Sequence, residues 1–261
     1  GVPGIGGIHL EGPYLAPARK GVHDARHFRK PAAEEISIMT APHRGQMLVT
    51  LAPERVPAET IRALADAGVI VSAGHTAGTY TDIRAGLDDG VRGFTHLFNA
   101  MSPFASREPG AVGAALEDRE SWCGLIVDGK HVHPASLRVA LAAKPHGKVF
   151  LVTDAMPPVG TPAETFELNG ETIAVRDGAC FTAGGVLAGS ALSMIDAVRN
   201  CVELLGLPLA EAARMAAAYP ADFLGLTDRG RIASGCRADF VVIDADFRVH
   251  ETWIGGECNA K

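Results

Sequence analysis

VIVSAGHT, residues 69–76, is an apolar run that ends on Gly74 and then His75. A short run of this kind, bounded by Gly, reads as a strand buried on both faces, with a metal-ligand side chain at its carboxyl end. Three other stretches repeat the design. HLEGPY (9–14) ends on Glu11 before Gly12-Pro13, FTHLFNAM (94–101) carries His96, and LVTDAM (151–156) carries Asp154. Two carboxylates and two imidazoles at separate strand ends are the components of a metal-activated water.

Working outward, Ile5–Glu11, Met47–Leu51, Val69–Ala73, Gly93–Leu97, Trp122–Val127 and Lys148–Val152 read as strands. Helical patterns fall between them at Pro57–Ala67, Thr79–Asp89 and Pro134–Lys144, with a weaker one at Pro31–Met39. Alternation of this kind predicts a parallel sheet. A closed (β/α)₈ barrel, the TIM type, places catalytic groups at the carboxyl ends of its strands, where the candidates fall. The competitor is a doubly wound sheet. It wants a Gly-rich turn after its first strand, whereas GIGG (4–7) precedes one.

Beyond about residue 155 the texture changes. Thr165–Leu168, Glu171–Val175 and Ala179–Phe181 suggest short antiparallel strands with an Asn169-Gly170 hairpin turn. Leu192–Leu205 and Leu209–Ala218 read as helices, and Ala238–Ile243 with Val249–Ile254 as a closing sheet. The expected division is a barrel over 1–235, with a small β insertion near 164–182, and a small appended sheet over 236–261.

Bulk properties narrow the function. The chain has 261 residues, 47% hydrophobic, with net charge −6. It has no basic stripe interleaved with aromatics, so nucleic acid is not an expected partner. No apolar run is long enough to cross a bilayer, so no membrane partner is expected either. Five cysteines without a CxxC pattern point to a reducing compartment, hence the cytoplasm, and to buried apolar roles. The chain starts on Gly1 and opens directly into a strand-like segment, so the natural N-terminus is expected upstream.

Taken singly, Glu11 is as readily a solvated rim carboxylate, and His75 or His96 a packed core histidine. Their equivalent placement favours ligation, and Glu with two His leaves a coordination position for water. Asp154 reads as the general base, because a carboxylate closing so apolar a run is costly unless it works or is paired; the alternative, a helix N-cap, is disfavoured by Met156-Pro157-Pro158. His9 reads as packed or as supporting a ligand. Asn99, Arg107 and His131 are candidate substrate contacts: Arg107 offers a fork suited to phosphate, and His131 lies just past a strand end. His23 carries no weight on composition alone.

Together, HLEGPYLAPARKGVHD (9–24), SAGHTAG (72–78), FTHLFNAMSPFASREPGAVGAAL (94–116), VDGKHVHP (127–134), LVTDAMPPVG (151–160) and LAGSALSMIDAVRN (187–200) resemble the N-acetylglucosamine-6-phosphate deacetylase family of the amidohydrolase superfamily. The resemblance implies a distorted (β/α)₈ barrel with a small β-sandwich appendage, and hydrolysis of the acetamide of N-acetylglucosamine 6-phosphate. It implies Glu11, His75 and His96 as ligands of a divalent metal: zinc first, iron or another ion as alternatives, one ion or two. Asp154 becomes the catalytic acid/base and His23 a group that polarises the acetyl carbonyl. Val22, His23, Asn99, Ala100, Arg107, His131 and Leu187 become substrate contacts. A homodimer is implied, with part of the phosphate site crossing its interface. Two departures stand out. The family carries a longer N-terminal stretch holding two barrel strands, and Lys130 beside His131 adds a positive charge. Alternatives are an amidohydrolase for a cyclic amide or aminated base, and a barrel that binds sugar phosphates without turnover.

Overall fold

The structure is a computed structural model that describes residues 4–259; Gly1, where the chain starts, and the last two residues of the expected C-terminal segment lie outside the described residues. Six strands, β1 (Gly7–Glu11), β2 (Gln46–Leu51), β3 (Ile70–Ala73), β4 (Val91–Phe94), β5 (Trp122–Leu125) and β6 (Val149–Leu151), form one sheet in that order. Every pairing is parallel. Strand order equal to chain order is the barrel arrangement, since a doubly wound sheet reverses direction at a switch point. The described sheet is six-stranded and open, with β1 and β6 as its edges. At the β1 edge Ile5 and Ile8 are exposed.

Burial explains the strands. All four residues of β3 are buried, and Val49, Leu51, Val71, Phe94, Leu125 and Leu151 join one core with the helices outside. The crossovers are α1 (Ala33–Thr40), α2 (Ala58–Asp66), α3 (Tyr80–Asp88), α4 (Gly110–Glu117) and α5 (Pro134–Ala143). Helix α2 buries Ile61 and Leu64 and stops at Gly68, whose φ of 84° suits a helix C-terminus. Helix α3 starts on a Thr79–Asp82 capping box.

Helix α4 has no counterpart in the sequence reading. Its GAVGAALE contains two glycines and no polar stripe, because six of its eight residues are buried. The amide of Ala111 donates to Ser102 Oγ at its start, and at its end the buried Lys144 Nζ donates to Ala115 O at 3.0 Å. Strand β4 also stops earlier than Gly93–Leu97 suggested: His96, Phe98 and Ala100 all take positive φ, which turns the chain.

After β6 comes a four-stranded antiparallel sheet of β7 (Thr165–Leu168), β8 (Glu171–Arg176), β9 (Ala179–Phe181) and β10 (Leu187–Ser190), ordered β10-β9-β8-β7. Asn169 and Gly170, with φ of 52° and 80°, make the hairpin turn between β7 and β8. Helices α6 (Met194–Glu203), α7 (Leu209–Ala216) and α8 (Ala218–Phe223) follow. A three-stranded sheet of β11 (Phe240–Ile243), β12 (Val249–Ile254) and β13 (Glu257–Asn259) ends the description. Among the described residues no helix is long and apolar enough to cross a membrane.

Candidate active site

The carboxyl ends of β1, β3, β4 and β6 face one cavity of about 720 Å³. Glu11 is the last residue of β1. His75 lies two residues beyond β3, His96 two beyond β4, and Asp154 three beyond β6. Each of these last three takes a left-handed backbone, with φ of 48°, 34° and 52°. Such a conformation costs a non-glycine residue about 1–3 kcal/mol and persists only where neighbours enforce it. Here the neighbouring strands do. Gly74 N–H donates to Leu51 O, Thr95 N–H to Ala73 O, Leu97 N–H to Gly124 O, and Ser190 N–H to Asp154 O. The same corner, used three times, swings a side chain off the strand end into the cavity.

His96 Nε2 lies 2.9 Å from Glu11 Oε1, and His75 Nε2 lies 3.1 Å from the same oxygen. The two Nε2 atoms are 3.1 Å apart. Both imidazoles are buried, at 6% and 4% exposure, so no water shell dilutes this contact. His75 Nδ1 sits 2.7 Å from Arg19 O, an acceptor only; Nδ1 therefore carries the proton and Nε2 offers a lone pair. Burial disfavours ionised Glu11, yet the close approach of the His75 and His96 imidazoles outweighs it and holds the carboxyl well below the usual carboxylate range. Burial likewise opposes charge on His96, but Glu11 prevails and raises its pKa. His96 Nδ1 is buried without a hydrogen-bond partner.

Three electron-rich atoms, all within 4.8 Å of one another, thus converge in a corner that favours positive charge. One carboxylate with two Nε2 nitrogens is a donor set for a divalent ion with a position left for water, so the residues fit a metal. Among the described residues this is the one group of that kind.

Around it, Val22, His23, Asn99, Ala100, His131, Asp154 and Leu187 line the cavity. The His23 ring stands edge-on to His75 at 4.7 Å, and burial together with that neighbour lowers its pKa. Asn99 Nδ2 donates to His96 O, and Thr76 N–H donates to Ala100 O, which fixes the loop past β4. His131 Nδ1 lies 2.5 Å from Asp128 Oδ2, with both side chains almost fully buried. The other oxygen, Oδ1, accepts from the amides of Lys130 and His131. Burial raises the Asp128 carboxyl, but these bonds, the one to His131 foremost, bring its pKa below the ordinary value.

Not every predicted residue joins them. Arg107 is exposed on the loop before α4 and does not line the cavity. His9 lies on the edge strand β1, where the residue is exposed, and its Nε2 meets Thr50 Oγ1 at 2.7 Å. That hydroxyl lies 2.6 Å from Thr95 Oγ1. Residues the sequence reading missed include His27, Phe28 and Arg29 on one wall, and Leu168 and Asn169 from the β7–β8 turn. None of them ends a barrel strand, so strand-end logic could not find them. Only the Asn169-Gly170 turn carried a local signal.

Residues 5–258 match the model of the amidohydrolase family. The chain belongs to that family. Among curated amidohydrolases it is 43% identical, over 98% of its length, to the N-acetylgalactosamine-6-phosphate deacetylase of Shewanella sp. (strain ANA-3), and it spans 65% of that protein. Among solved structures it matches N-acetylglucosamine-6-phosphate deacetylase from Pasteurella multocida with a TM-score of 0.94 and 37% identity, covering 98% of this chain and 68% of the other. A mutant of the Mycobacterium smegmatis enzyme in complex with N-acetyl-D-glucosamine-6-phosphate matches with a TM-score of 0.90 and 38% identity, over 98% of this chain and 68% of that one. The chain therefore spans about two thirds of the length of such relatives. Among the described residues the parallel sheet has six strands and is open, where a barrel of eight closes.

Proposed function

We propose that the protein hydrolyses the acetamide of N-acetylglucosamine 6-phosphate to glucosamine 6-phosphate and acetate. The observation that carries this is the convergence of Glu11, His75 and His96 beside Asp154 in a cavity that also holds His23 and His131. Relatives that carry this activity in their names match nearly the whole chain.

Glu11, His75 and His96 would hold a divalent ion, which supplies Lewis-acid polarisation and a water acidic enough to act as a nucleophile near neutral pH. The donor set suits zinc. Asp154 takes the proton of the attacking water and passes it to the departing amine nitrogen. His23 donates a hydrogen bond to the acyl oxygen as negative charge gathers there. His131, oriented by Asp128, faces the phosphate, while Asn99 and the backbone at Ala100 set the register of the sugar. Val22 and Leu187 close the apolar side of the cavity.

Arg107 enters this reading through a homodimer. It is exposed and outside its own cavity, and the family resemblance gives part of the phosphate site to a neighbouring subunit. The five cysteines, none in a disulfide, suit action in the cytoplasm. A barrel domain spanning 1–235, with the C-terminal strands as part of a second, smaller domain, remains our reading of the organisation.

A second reading concerns the sugar. The 43% identical relative is named for the 4-epimer, N-acetylgalactosamine 6-phosphate. Acetate release from both epimers by the full-length protein decides between them. The same assay tests the mechanism. Asp154→Asn should abolish turnover and leave the metal bound, whereas turnover at the wild-type rate refutes the base assignment.

A further inference from the structure

The sheet β10-β9-β8-β7 meets the cavity at both of its edges. At the β10 edge, Ser190 N–H donates to Asp154 O at 2.8 Å, and Met156 N–H donates to Ser190 O at 2.9 Å. The turn that carries Asp154 is thus stitched onto the sheet as a strand would be. At the far edge, the β7–β8 turn reaches the 17–31 segment. Asn169 Nδ2 donates to Val22 O at 3.2 Å. The Val22 side chain packs on the sheet's own apolar cluster of Ile173, Cys180 and Ala188. His23 is the next residue.

Little else holds that segment. Its only regular structure is two single 3₁₀ turns, Pro17–Arg19 and Ala25–His27. Upstream it is pinned where Arg19 O meets His75 Nδ1, and downstream where Arg29 pairs with Glu35. From Lys20 to Phe28 the bonds of His23 to Lys20, of Asp24 to Arg26 and of Phe28 to Ala25 stay inside the segment. The Asn169 bond is the one hydrogen bond there, among the described residues, that reaches another part of the chain.

We infer that Asn169 is a positioning residue for His23: the hairpin clasps Val22 and so sets the imidazole against the substrate carbonyl, while the opposite edge of the same sheet holds Asp154. This rests on the proposed role of His23. It deepens that reading by making the β7–β10 sheet a brace between the acid/base and the group facing the acyl oxygen. Asn suits both tasks. It tolerates the φ of 52° that the turn needs, and its amide supplies the donor.

Two variants of the full-length, metal-loaded protein separate turn from clasp. Asn169→Gly keeps the turn, because glycine takes positive φ without strain, and deletes the donor. Asn169→Asp keeps the outline and sets an acceptor against the Val22 carbonyl. Amide hydrogen exchange without substrate should quicken over residues 20–28 in both variants and stay unchanged in β2 to β6. Unchanged exchange over 20–28 overturns the clasp, whether or not the protein releases acetate. In acetate release, kcat should fall roughly tenfold with little change in KM, as expected for a misplaced group. The same Asn169→Gly change should cost nothing further when made on His23→Ala. A full tenfold loss on that background overturns action through His23. If the unaltered protein releases no acetate from either epimer, the proposed function fails, and the exchange result still judges the clasp.

Discussion

Replacing Asp128 by Asn removes one charge and leaves the shape intact. In the native protein Oδ2 accepts from His131 Nδ1, and Oδ1 accepts from two backbone amides. An Asn oxygen can keep both amides. Its NH₂ then faces His131 Nδ1 and makes that nitrogen an acceptor, which moves the imidazole proton to Nε2. A hydrogen bond to a charged group contributes about 1.5–3 kcal/mol, and both side chains here are almost fully buried, so little is lost to water. We expect about 2 kcal/mol of destabilisation, or a Tm lower by ~4–8 °C for a chain of this size. The sign with pH follows from the lowered Asp128 pKa. Its contribution is present above the ordinary carboxylate value of 3.8 and is lost as pH falls through the lower folded value. The gap in Tm between native and variant protein should therefore close in acid. Thermal melts between pH 3 and pH 7 read the effect, and a Tm gap independent of pH would refute the reasoning.

Two further perturbations probe the scaffold. At Gly74 an added Cβ would lie 2.6 Å from Thr50 Cγ2 and 3.1 Å from Thr95 Cβ. Gly74→Ala should therefore displace His75 and weaken metal affinity by roughly 10–100-fold in a competition titration, with native affinity as the contrary result. Lys144→Met strands the carbonyls of Ala115 and Asp118 and the Ser121 hydroxyl. It should cost about 1–3 kcal/mol in a denaturant titration and leave kcat of the folded protein intact, because Lys144 is not among the residues lining the cavity.

The sequence made the barrel legible where burial on both faces left an uninterrupted apolar run. Val69–Ala73 reads as a strand, and Ile70–Ala73 is one. It hid α4, whose Gly110 and Gly113 argue against a helix; close packing demands them, since a Cβ on Gly113 would lie 2.3 Å from Pro109 Cβ. It hid β10 as well, because Leu-Ala-Gly-Ser lacks β-branched residues and is held by pairing to β9. At the site, Glu11, His75 and His96 were readable because each closes a strand. The Asn169 turn was readable as a turn alone, because its contact with Val22 spans 147 positions of sequence. Arg107 stands out by its chemistry alone, and sequence does not show that its side chain is exposed outside the cavity lining.

The central claim is that Glu11, His75 and His96 hold an ion on which amide hydrolysis depends. Acetate release from N-acetylglucosamine 6-phosphate by metal-stripped, full-length protein, followed as a divalent ion is added back, tests it most directly. The account predicts no acetate before addition, recovery that saturates with the ion, and no recovery in Glu11→Gln; full release from stripped protein would contradict it.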